Sequence, residues 1–383
     1  MKKKIAIIII VFVAVSAGFV LATSDSGKKS VSAVSDALTD RMEQMINGGS
    51  KFDIASKDEV NVLLIGLDSR AGWKKAHCDA NHMFTLNIKN KTLTITSVPR
   101  GTYVFIPGGP YEATEYYLAN SCELVGVEYG AAQVEKIVGK QADFRVYAGF
   151  SQTMGVLRAL GMPAPEAMQW LRYRHGYAIG EPQRSANQAV FMKDMVVKYL
   201  PKFESEFSIP FQFALFSIVD TDMDFATARA LLAFAYSADF DKHPEKIFIA
   251  MKPEYETAEF HFDPEKTALE LERARGYLQP LLPSDDLSGK SLEEIQSQLA
   301  DYLRSALNSN DPIDDIMRKK IWLQVENSAV REELHFAFIE RWANENPSDA
   351  EDLIVKYIME MQVAGEQDYE KKGRELLEKI MLR

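Results

Sequence analysis

Three strand-like segments follow one another early in this chain and constrain its fold more than any other feature. The first, Asn61–Gly66, is a continuous apolar run that ends in glycine, which is typical of a buried strand. The next two, Met83–Ile88 and Thr92–Val98, alternate apolar and polar residues on either side of a polar turn. That pattern predicts a β-hairpin, so a sheet must form in this part of the chain.

Segments with the helical spacing of apolar residues are interspersed with the strands and continue beyond them. Four of them are Tyr129–Val138, Val156–Leu160, Ala189–Leu200 and Ala226–Tyr236. Strands and helices mixed in this way predict the α/β (mixed α+β) class, with a central mixed sheet flanked by helices.

The chain changes character after about residue 268. A capping box at Ser291–Glu294 opens a helical pattern, and no strand pattern follows it. Helical spacing recurs in Ile321–Trp342, Ala350–Val363 and Gly373–Leu382. We therefore expect an all-helical extension for packing or interaction.

The N-terminus carries lysines at positions 2–4, followed by the uncharged apolar run Ile5–Ala22. About 20 apolar residues span a bilayer, and the lysines favour a cytoplasmic N-terminus. We expect a single-pass anchor in the cell membrane, with the bulk of the chain extracytoplasmic. The alternative is a signal peptide cleaved after Val20–Ala22, although the run is longer than a usual signal-peptide core.

These patterns divide the chain into four parts. Residues 1–22 are the cytoplasmic lysines and the anchor, and residues 23–55 are small and polar, as in a linker or stalk. Residues 56–268 form the domain with the sheet, and residues 269–383 form the helical extension.

The charge of the chain excludes one class of partner. The formal net charge at pH 7 is −11, whereas proteins that bind nucleic acid usually carry a basic surface. We therefore expect no nucleic-acid partner. Arginines that cluster in such an acidic chain indicate a local anion site.

Four arginines are candidates for that site. Arg100 follows a β-branched segment and a proline, so we expect it in a loop at the end of a strand, where ligand sites are often built. Arg172, Arg174 and Arg184 lie close together later in the chain. The planar guanidinium suits phosphate and pyrophosphate, and we predict that these arginines hold such a ligand.

Several motifs, taken in order, resemble those of the LytR-CpsA-Psr family, whose domain is also called the cell-envelope-related transcriptional attenuator domain. They are Gly66–Arg70, Asp79 within His77–Ala80, Ser97–Val104, Leu118–Asn120 before Gly126, the pair Arg172 and Arg174, and Gly180–Gln188. No single motif is decisive, but their common order behind an apolar N-terminus is specific. The resemblance covers roughly residues 57–265 and indicates a divergent member.

The resemblance implies an activity and a ligand. Proteins of this family transfer glycopolymers from a polyprenyl pyrophosphate carrier to peptidoglycan or another envelope acceptor. Their fold encloses an apolar tunnel for the lipid tail, and two acidic residues hold Mg²⁺. Candidate tunnel residues here are Met154, Met162, Met168, Phe191 and Phe211. Ordinary core is the simpler explanation for any one of them.

The resemblance also assigns roles to the matched residues. Catalytic roles fall on Arg100, Asp79, Arg172, Arg174, Arg184 and Glu181. Substrate contacts fall on Asp68, Arg70, Asn120 and Gln188. The arginines would neutralise the pyrophosphate, which makes it a better leaving group. Asp79 or Glu181 would accept the proton of the attacking acceptor hydroxyl.

The sequence departs from the family pattern at the metal site. Asp79 supplies one acid, but Gly101 occupies the position of the second. Glu181 replaces an aspartate, and Asn187 replaces an arginine. Mg²⁺ in proteins is held by one or two carboxylates together with substrate oxygens and water. We therefore expect a weakened Mg²⁺ site at Asp79.

Two functions remain open at this point. The first is a membrane-anchored glycopolymer transferase, and the second is a catalytically weakened polyprenyl-phosphate-binding scaffold in envelope assembly. Gly101 separates the two, because it removes half of the metal site unless Glu112 or Glu115 supplies a carboxylate.

Cysteine and histidine residues leave further alternatives. Cys78 and Cys122 form a disulfide outside the cytoplasm or remain unrelated thiols. His77, His82 and His175 match no zinc-ligand spacing. We expect these rings to be hydrogen-bonded or exposed rather than to ligate a metal.

Overall fold

The computed structural model describes residues 38–46, 48, 52–69, 75–112, 115–172, 180–205, 207–265 and 291–382. The predicted anchor at residues 1–22, together with Arg70, Arg174 and His175, lies outside this part of the chain. Within the described ranges, no helix combines the length and the apolar character needed to cross a membrane.

A six-stranded mixed sheet forms the centre of the molecule. Its strands are β1 (Glu59–Asp68), β2 (His77–Asn87), β3 (Thr92–Ser97), β4 (Phe144–Gly149), β5 (Asp220–Thr221) and β6 (Ile247–Met251). Their order across the sheet is β5-β4-β1-β2-β3-β6. β1, β2 and β3 are successively antiparallel, whereas β4 runs parallel to β1 and β6 runs parallel to β3.

The predicted hairpin is confirmed as β2 and β3, with Phe84 opposite Ile95. β2 begins at His77 rather than at Met83, so Asp79 lies inside the strand and not ahead of it. Within β2 the side chains of Cys78 and Met83 are fully buried.

Helices of the sheet domain pack against this sheet and against one another. They are α1 (38–46), α2 (Leu118–Leu124), α3 (Val127–Val138), α4 (Phe150–Ala159), α5 (Ala164–Arg172), α6 (Glu181–Ser205), α7 (Ile209–Phe216) and α8 (Phe225–Ser237). The helical segments predicted at 129–138, 189–200 and 226–236 are confirmed. The α/β class with a mixed sheet and flanking helices is likewise observed.

The helical extension is observed in the described residues from 291 onward. It consists of α9 (Leu292–Asn308), α10 (Asp314–Lys319), α11 (Ser328–Glu345), α12 (Ala350–Ala364) and α13 (Gln367–Met381). The predicted capping box is confirmed, since Ser291 Oγ accepts from the amide of Glu294 and the Glu294 carboxylate accepts from the amide of Ser291. The last helix begins at Gln367, earlier than the predicted Gly373.

Side chains of α4 join the extension to the sheet domain. Arg158 donates to the carbonyl of Leu323 at 2.8 Å and to the carboxylate of Glu326 at 2.9 Å. Ser151 Oγ accepts from the Gln324 side chain at 2.7 Å. The extension is therefore bonded to the helix that follows β4.

α1 packs on the extension, although residues 23–55 were predicted to be a linker. Leu38 is buried in the same apolar cluster as Ile354 and Tyr357 of α12. Arg41 Nη2 lies 2.6 Å from Asp352 Oδ1. Residues 38–46 are thus a packed helix, because their apolar face matches that of α12.

A disulfide joins Cys78 of β2 to Cys122 of α2, which decides between the two alternatives left open by the sequence. Their Cα atoms are 5.8 Å apart, and both side chains are buried. A Cβ atom at Gly130 of α3 would lie 2.1 Å from Cys122 Sγ. Only glycine therefore lets α3 approach the disulfide this closely.

Candidate functional site

Asp79 and Arg100 meet where β2 and β3 lead into the site. Arg100 and Gly101 are the central residues of a turn in which the amide of Thr102 donates to the carbonyl of Pro99. The Nη1 atom of Arg100 lies 2.6 Å from Asp79 Oδ1. The prediction that Arg100 stands in a loop after a strand is confirmed, because β3 ends at Ser97.

The first turn of α6 completes this cluster with an acid and a second arginine. Glu181 Oε2 lies 2.8 Å from a terminal nitrogen of Arg184 and 3.4 Å from Arg100 Nε. Arg184 Nη2 also donates to the backbone carbonyl of Asp79 at 2.9 Å. Asp79, Arg100, Glu181 and Arg184 are hereafter called the arginine cluster.

The charges of the arginine cluster oppose one another at short range. Burial alone would lower the pKa of Arg100, but the carboxylates of Asp79, Glu181 and Asp68 outweigh that effect and raise it. The Arg184 side chain is only 6% exposed, whereas that of Arg100 is 24% exposed. Arg100 is thus fully charged and presents the more accessible guanidinium to a ligand.

A buried hydrogen-bond network ties the elements of the cluster together. His82 of β2 is fully buried between Ser97 Oγ at 3.0 Å and Gln188 Oε1 at 3.2 Å. The Gln188 amide nitrogen donates to the carbonyl of Leu171 at 2.9 Å. The network therefore joins β2, which carries Asp79, to α6 and to the end of α5.

The chemistry of the network fixes the state of its histidine. The side-chain nitrogen of Gln188 donates to the carbonyl of Leu171, so its oxygen accepts a hydrogen bond from His82 Nε2–H. His82 Nδ1 then accepts a hydrogen bond from the Ser97 hydroxyl. Burial, together with the charge of Arg184, lowers the pKa of His82 to about 4, against the opposing bond from Gln188. His82 is neutral and structural, as expected for a histidine without metal-ligand spacing.

Other residues with predicted roles occupy separate positions. The guanidinium of Arg172 lies 4.7 Å from the centre of the Phe150 ring. The Asn120 amide donates to the carbonyl of Glu115 at 3.0 Å, and its neighbour Ala119 donates to the carbonyl of Arg100. Gln188 lies within the buried network, so its amide positions α6 in this structure. Its predicted substrate contact remains a prediction.

The sequence reasoning did not find His82 and Ser97 as site residues. Ser97 begins the motif Ser97–Val104 and His82 was considered as a metal ligand, but neither residue was assigned a role at the site. Their role depends on the pairing of β2 with β3, where they are direct partners. The alternation of the predicted hairpin was the signal that could have placed them together.

The residues at the site supply only part of a Mg²⁺ coordination sphere. No group of three or more His, Cys, Asp or Glu side chains is placed to hold a metal in the described ranges. Asp79 offers a hard oxygen ligand, but Arg100 already engages it. These donors fit Mg²⁺ only when phosphate oxygens and water complete the shell.

A large cavity lies between parts of the sheet domain and of the extension. Its volume is about 1110 Å³, and its walls come from α4, α7, α11 and α12. Phe211, one of the five candidate tunnel residues, lines it together with Phe213 and Phe216. Met154, Met162, Met168 and Phe191 belong instead to buried apolar clusters.

The structure is thus a mixed α/β protein in which two arginines and two acids meet beside the central sheet. Residues 20–152 match the model of the LytR_cpsA_psr family. The resemblance inferred from the motifs is thereby confirmed over residues 20–152. The match includes Asp79 and Arg100 and ends before Glu181 and Arg184.

Curated relatives share part of this chain. The polyisoprenyl-teichoic acid–peptidoglycan teichoic acid transferase TagT of Bacillus subtilis is 30% identical over 166 residues, which is 42% of this chain and 50% of TagT. The polyisoprenyl-teichoic acid–peptidoglycan teichoic acid transferase TagU of Bacillus cereus is 25% identical over 144 residues, which is 37% of this chain and 46% of TagU. The chain thus spans about half the length of the relatives it matches.

Solved structures also match at low similarity. TagT bound to LI-WTA is 20% identical, with a TM-score of 0.39, covering 60% of this chain and 94% of that one. A transcriptional regulator from Enterococcus faecalis is 17% identical, with a TM-score of 0.42, covering 66% and 97%.

Proposed function

We propose that this protein is an extracytoplasmic, membrane-anchored transferase that moves a glycopolymer from polyprenyl pyrophosphate to peptidoglycan or another envelope acceptor. The observation that carries the proposal is the arginine cluster, in which Arg100 and Arg184 converge at the ends of β2 and α6. The family match and the transferase names of the relatives support it. Anchorage rests on the apolar run Ile5–Ala22.

The arginine cluster would act by exchanging partners. Before a ligand binds, Arg100 is held by Asp79 and Glu181. Pyrophosphate oxygens compete with these carboxylates for the guanidinium, and charge-assisted bonds to phosphate are strong. Arg100 and Arg184 would then neutralise the charge that develops on the leaving polyprenyl phosphate.

The transfer step needs no covalent intermediate on the protein. An acceptor hydroxyl attacks the phosphorus on the polymer side, the P–O–P bond breaks, and polyprenyl phosphate leaves. The hydroxyl proton passes to Asp79 or Glu181, whose side chains are 18% and 24% exposed and thus reachable. Mg²⁺, held by Asp79 with phosphate oxygens, would add charge neutralisation at the same place.

The lipid tail requires an apolar space, and we propose the cavity between α7 and α12 for it. Phe211, Phe213 and Phe216 give this cavity an apolar part, and charged residues such as Arg331 and Lys356 also line it. Ala214 also lines this cavity, and replacing it with a larger residue is expected to reduce the amount of lipid retained. The matched control is the same change at exposed Ala233, which does not line the cavity.

The alternative function is a polyprenyl-phosphate-binding scaffold without turnover. One observation favours it: Gly101 stands where the second metal-binding acid is expected, and a carboxylate already engages Arg100. Both functions require binding of a lipid pyrophosphate, and only the transferase requires product formation.

The test uses the full-length chain purified in detergent. Mass spectrometry of the purified protein should reveal bound polyprenyl phosphate or pyrophosphate, and incubation with lipid-linked polymer and peptidoglycan should yield linked product. Bound lipid without product would support the scaffold. Absence of bound lipid, together with failure to bind added undecaprenyl pyrophosphate, would overturn both functions.

A further inference from the structure

An exposed aromatic surface begins three residues after Arg100. Tyr103 and Phe105 are 68% and 66% exposed, and Tyr117 is 39% exposed. These three residues are hereafter called the aromatic face. Large aromatic side chains exposed together commonly mark a binding surface.

The backbone holds the aromatic face in a defined arrangement. Tyr103 and Tyr117 form an antiparallel β-bridge, so they are directly opposite one another. Val104, which lies between Tyr103 and Phe105, is only 5% exposed, and Ile106, which follows Phe105, is 1% exposed. This alternation presents Tyr103 and Phe105 to the solvent while the residues between and after them anchor the segment in the core.

Two hydrogen bonds fix the segment further. Tyr129 donates its hydroxyl proton to the carbonyl of Phe105 at 2.6 Å, and the amide of Val104 donates to the carbonyl of Tyr116 at 3.0 Å. The surface is therefore preorganised, and binding a ligand there costs little ordering of the backbone.

The aromatic face is continuous with the arginine cluster. The amide of Leu118 donates to the carbonyl of Thr102, and the amide of Ala119 donates to the carbonyl of Arg100, each at 2.9 Å. A ligand that lies on the aromatic face is thus next to the turn that carries Arg100 and Gly101.

Charge distinguishes among the possible occupants. The segment from Gly101 to Tyr129 contains no Lys, Arg or His. Of its glutamates, Glu123 and Glu128 pair with His77 and Arg145 from outside the segment, and the other two are Glu112 and Glu115. An anionic membrane surface recruits basic residues, and a polyanion would be repelled by this segment. An uncharged sugar ring can stack its apolar face on an aromatic ring. Its hydroxyl groups can donate hydrogen bonds to nearby carboxylates and carbonyls.

We propose that the aromatic face binds uncharged sugar rings of the acceptor glycan and so brings an acceptor hydroxyl to the arginine cluster. The proposal rests on the proposed transferase function, since it names the acceptor side of the same site. It assigns to Tyr103, Phe105 and Tyr117 a binding role that the motifs did not indicate.

The experiment measures binding of a hexamer of N-acetylglucosamine to the full-length chain in detergent by isothermal titration calorimetry. The test variant is the pair Tyr103→Ser and Phe105→Ser, in which aromatic contact is removed at two exposed positions. The matched control is the pair Phe248→Ser and Tyr255→Ser, at 52% and 47% exposure and remote from Arg100 in sequence. Because two aromatic contacts are removed, we expect at least ~10-fold weaker hexamer binding in the test variant only.

Two results would overturn the proposal. One is absence of hexamer binding, or equal binding by the test and control variants. The other is contact of this face with the membrane, tested with a Tyr103→Trp variant in proteoliposomes. In that case brominated lipids would quench the fluorescence of the new tryptophan, and the hexamer would not change this fluorescence. Hexamer binding that is lost only in the test variant supports the aromatic face even if no lipid pyrophosphate binds, in which case the transferase function alone fails.

Discussion

The carboxylate of Asp79 lies 2.6 Å from the guanidinium of Arg100, so the most accessible positive charge of the site is already paired before any ligand arrives. This pairing makes Asp79 a competitor of the phosphate as well as a candidate metal ligand. The two roles have opposite consequences for anion binding, and a single substitution separates them.

The substitution Asp79→Asn is expected to strengthen binding of inorganic pyrophosphate in metal-free buffer. It removes the negative charge that faces Arg100 but keeps the shape of the side chain. A charged hydrogen bond is worth roughly 1.5–3 kcal/mol, so the gain in affinity should be about 10-fold. Isothermal titration calorimetry measures it, with Asp301→Asn, an exposed acid of α9, as the control. Weaker binding by Asp79→Asn without Mg²⁺ would contradict the partner exchange proposed here.

Gly101→Asp is expected to increase the effect of Mg²⁺ on pyrophosphate binding. A Cβ atom at Gly101 meets no other atom within 4 Å, so the new side chain fits without displacing its neighbours. Adding a second carboxylate beside Asp79 supplies the donor that the site lacks. The measurement compares the pyrophosphate affinity of the wild-type protein and of Gly101→Asp with and without Mg²⁺. Gly101→Asn is the third protein and serves as the uncharged control. An identical response to Mg²⁺ in all three would argue against a metal site at this turn.

The stability of the protein should decrease as the pH falls from about 6.5 toward 4. The pKa of His82 is lowered to about 4 in the folded chain, so between these values the unfolded chain binds a proton that the folded chain does not. Well above pH 6.5, where both states are deprotonated, this histidine contributes no pH dependence. The loss amounts to at most about 3 kcal/mol at pH 4, from 1.36 kcal/mol per pKa unit.

Urea unfolding at several pH values measures this effect. His82→Gln should flatten the pH dependence between 4 and 6.5, even though it lowers the stability at neutral pH. The exposed ring of His243 provides the control, because His243→Gln should leave the slope in place. A slope unchanged by His82→Gln would show that other groups cause it.

Gly130→Ala is expected to destabilise the oxidised protein. Alanine normally favours a helix over glycine by up to about 1 kcal/mol. Here its Cβ would lie 2.1 Å from Cys122 Sγ and 3.2 Å from Cys78 Sγ, and such overpacking typically costs about 1–3 kcal/mol. The clash therefore outweighs the helix propensity.

A double-mutant cycle identifies the cause of that loss. In a Cys122→Ala background the sulfur atoms are no longer joined, so Gly130→Ala should cost less or become stabilising. Thermal unfolding of the four proteins under oxidising conditions gives the coupling. Equal costs in both backgrounds would place the clash elsewhere.

The sequence was sufficient for the parts of the fold that follow local periodicity. The hairpin of β2 and β3 and most helices were predicted, because alternation and helical spacing are local signals. β4 and β6 were not predicted as strands: Phe144–Gly149 is half-buried along most of its length, and Ile247–Met251 is an exposed edge. Their position depends on parallel pairing with distant strands, which no local pattern reveals.

The arginine cluster shows the same limit at the level of the site. The motifs indicated Asp79, Arg100, Glu181 and Arg184, but their spacing could not reveal that each arginine is already bonded to an acid. Nor could it reveal that Gln188 and His82 hold α6 against β2. Both relationships arise from packing between elements that are far apart in sequence.

The packing of α1 on α12 has a mechanical consequence for the N-terminal anchorage that we propose. Any tension transmitted through residues 38–46 reaches the Arg41–Asp352 pair and the apolar contacts of Leu38 before it reaches the central sheet. In an anchored chain, the last helices would therefore transfer the load from the anchor to the rest of the protein. Truncating the last helices would remove the packing partner of α1 and would expose its apolar side to solvent.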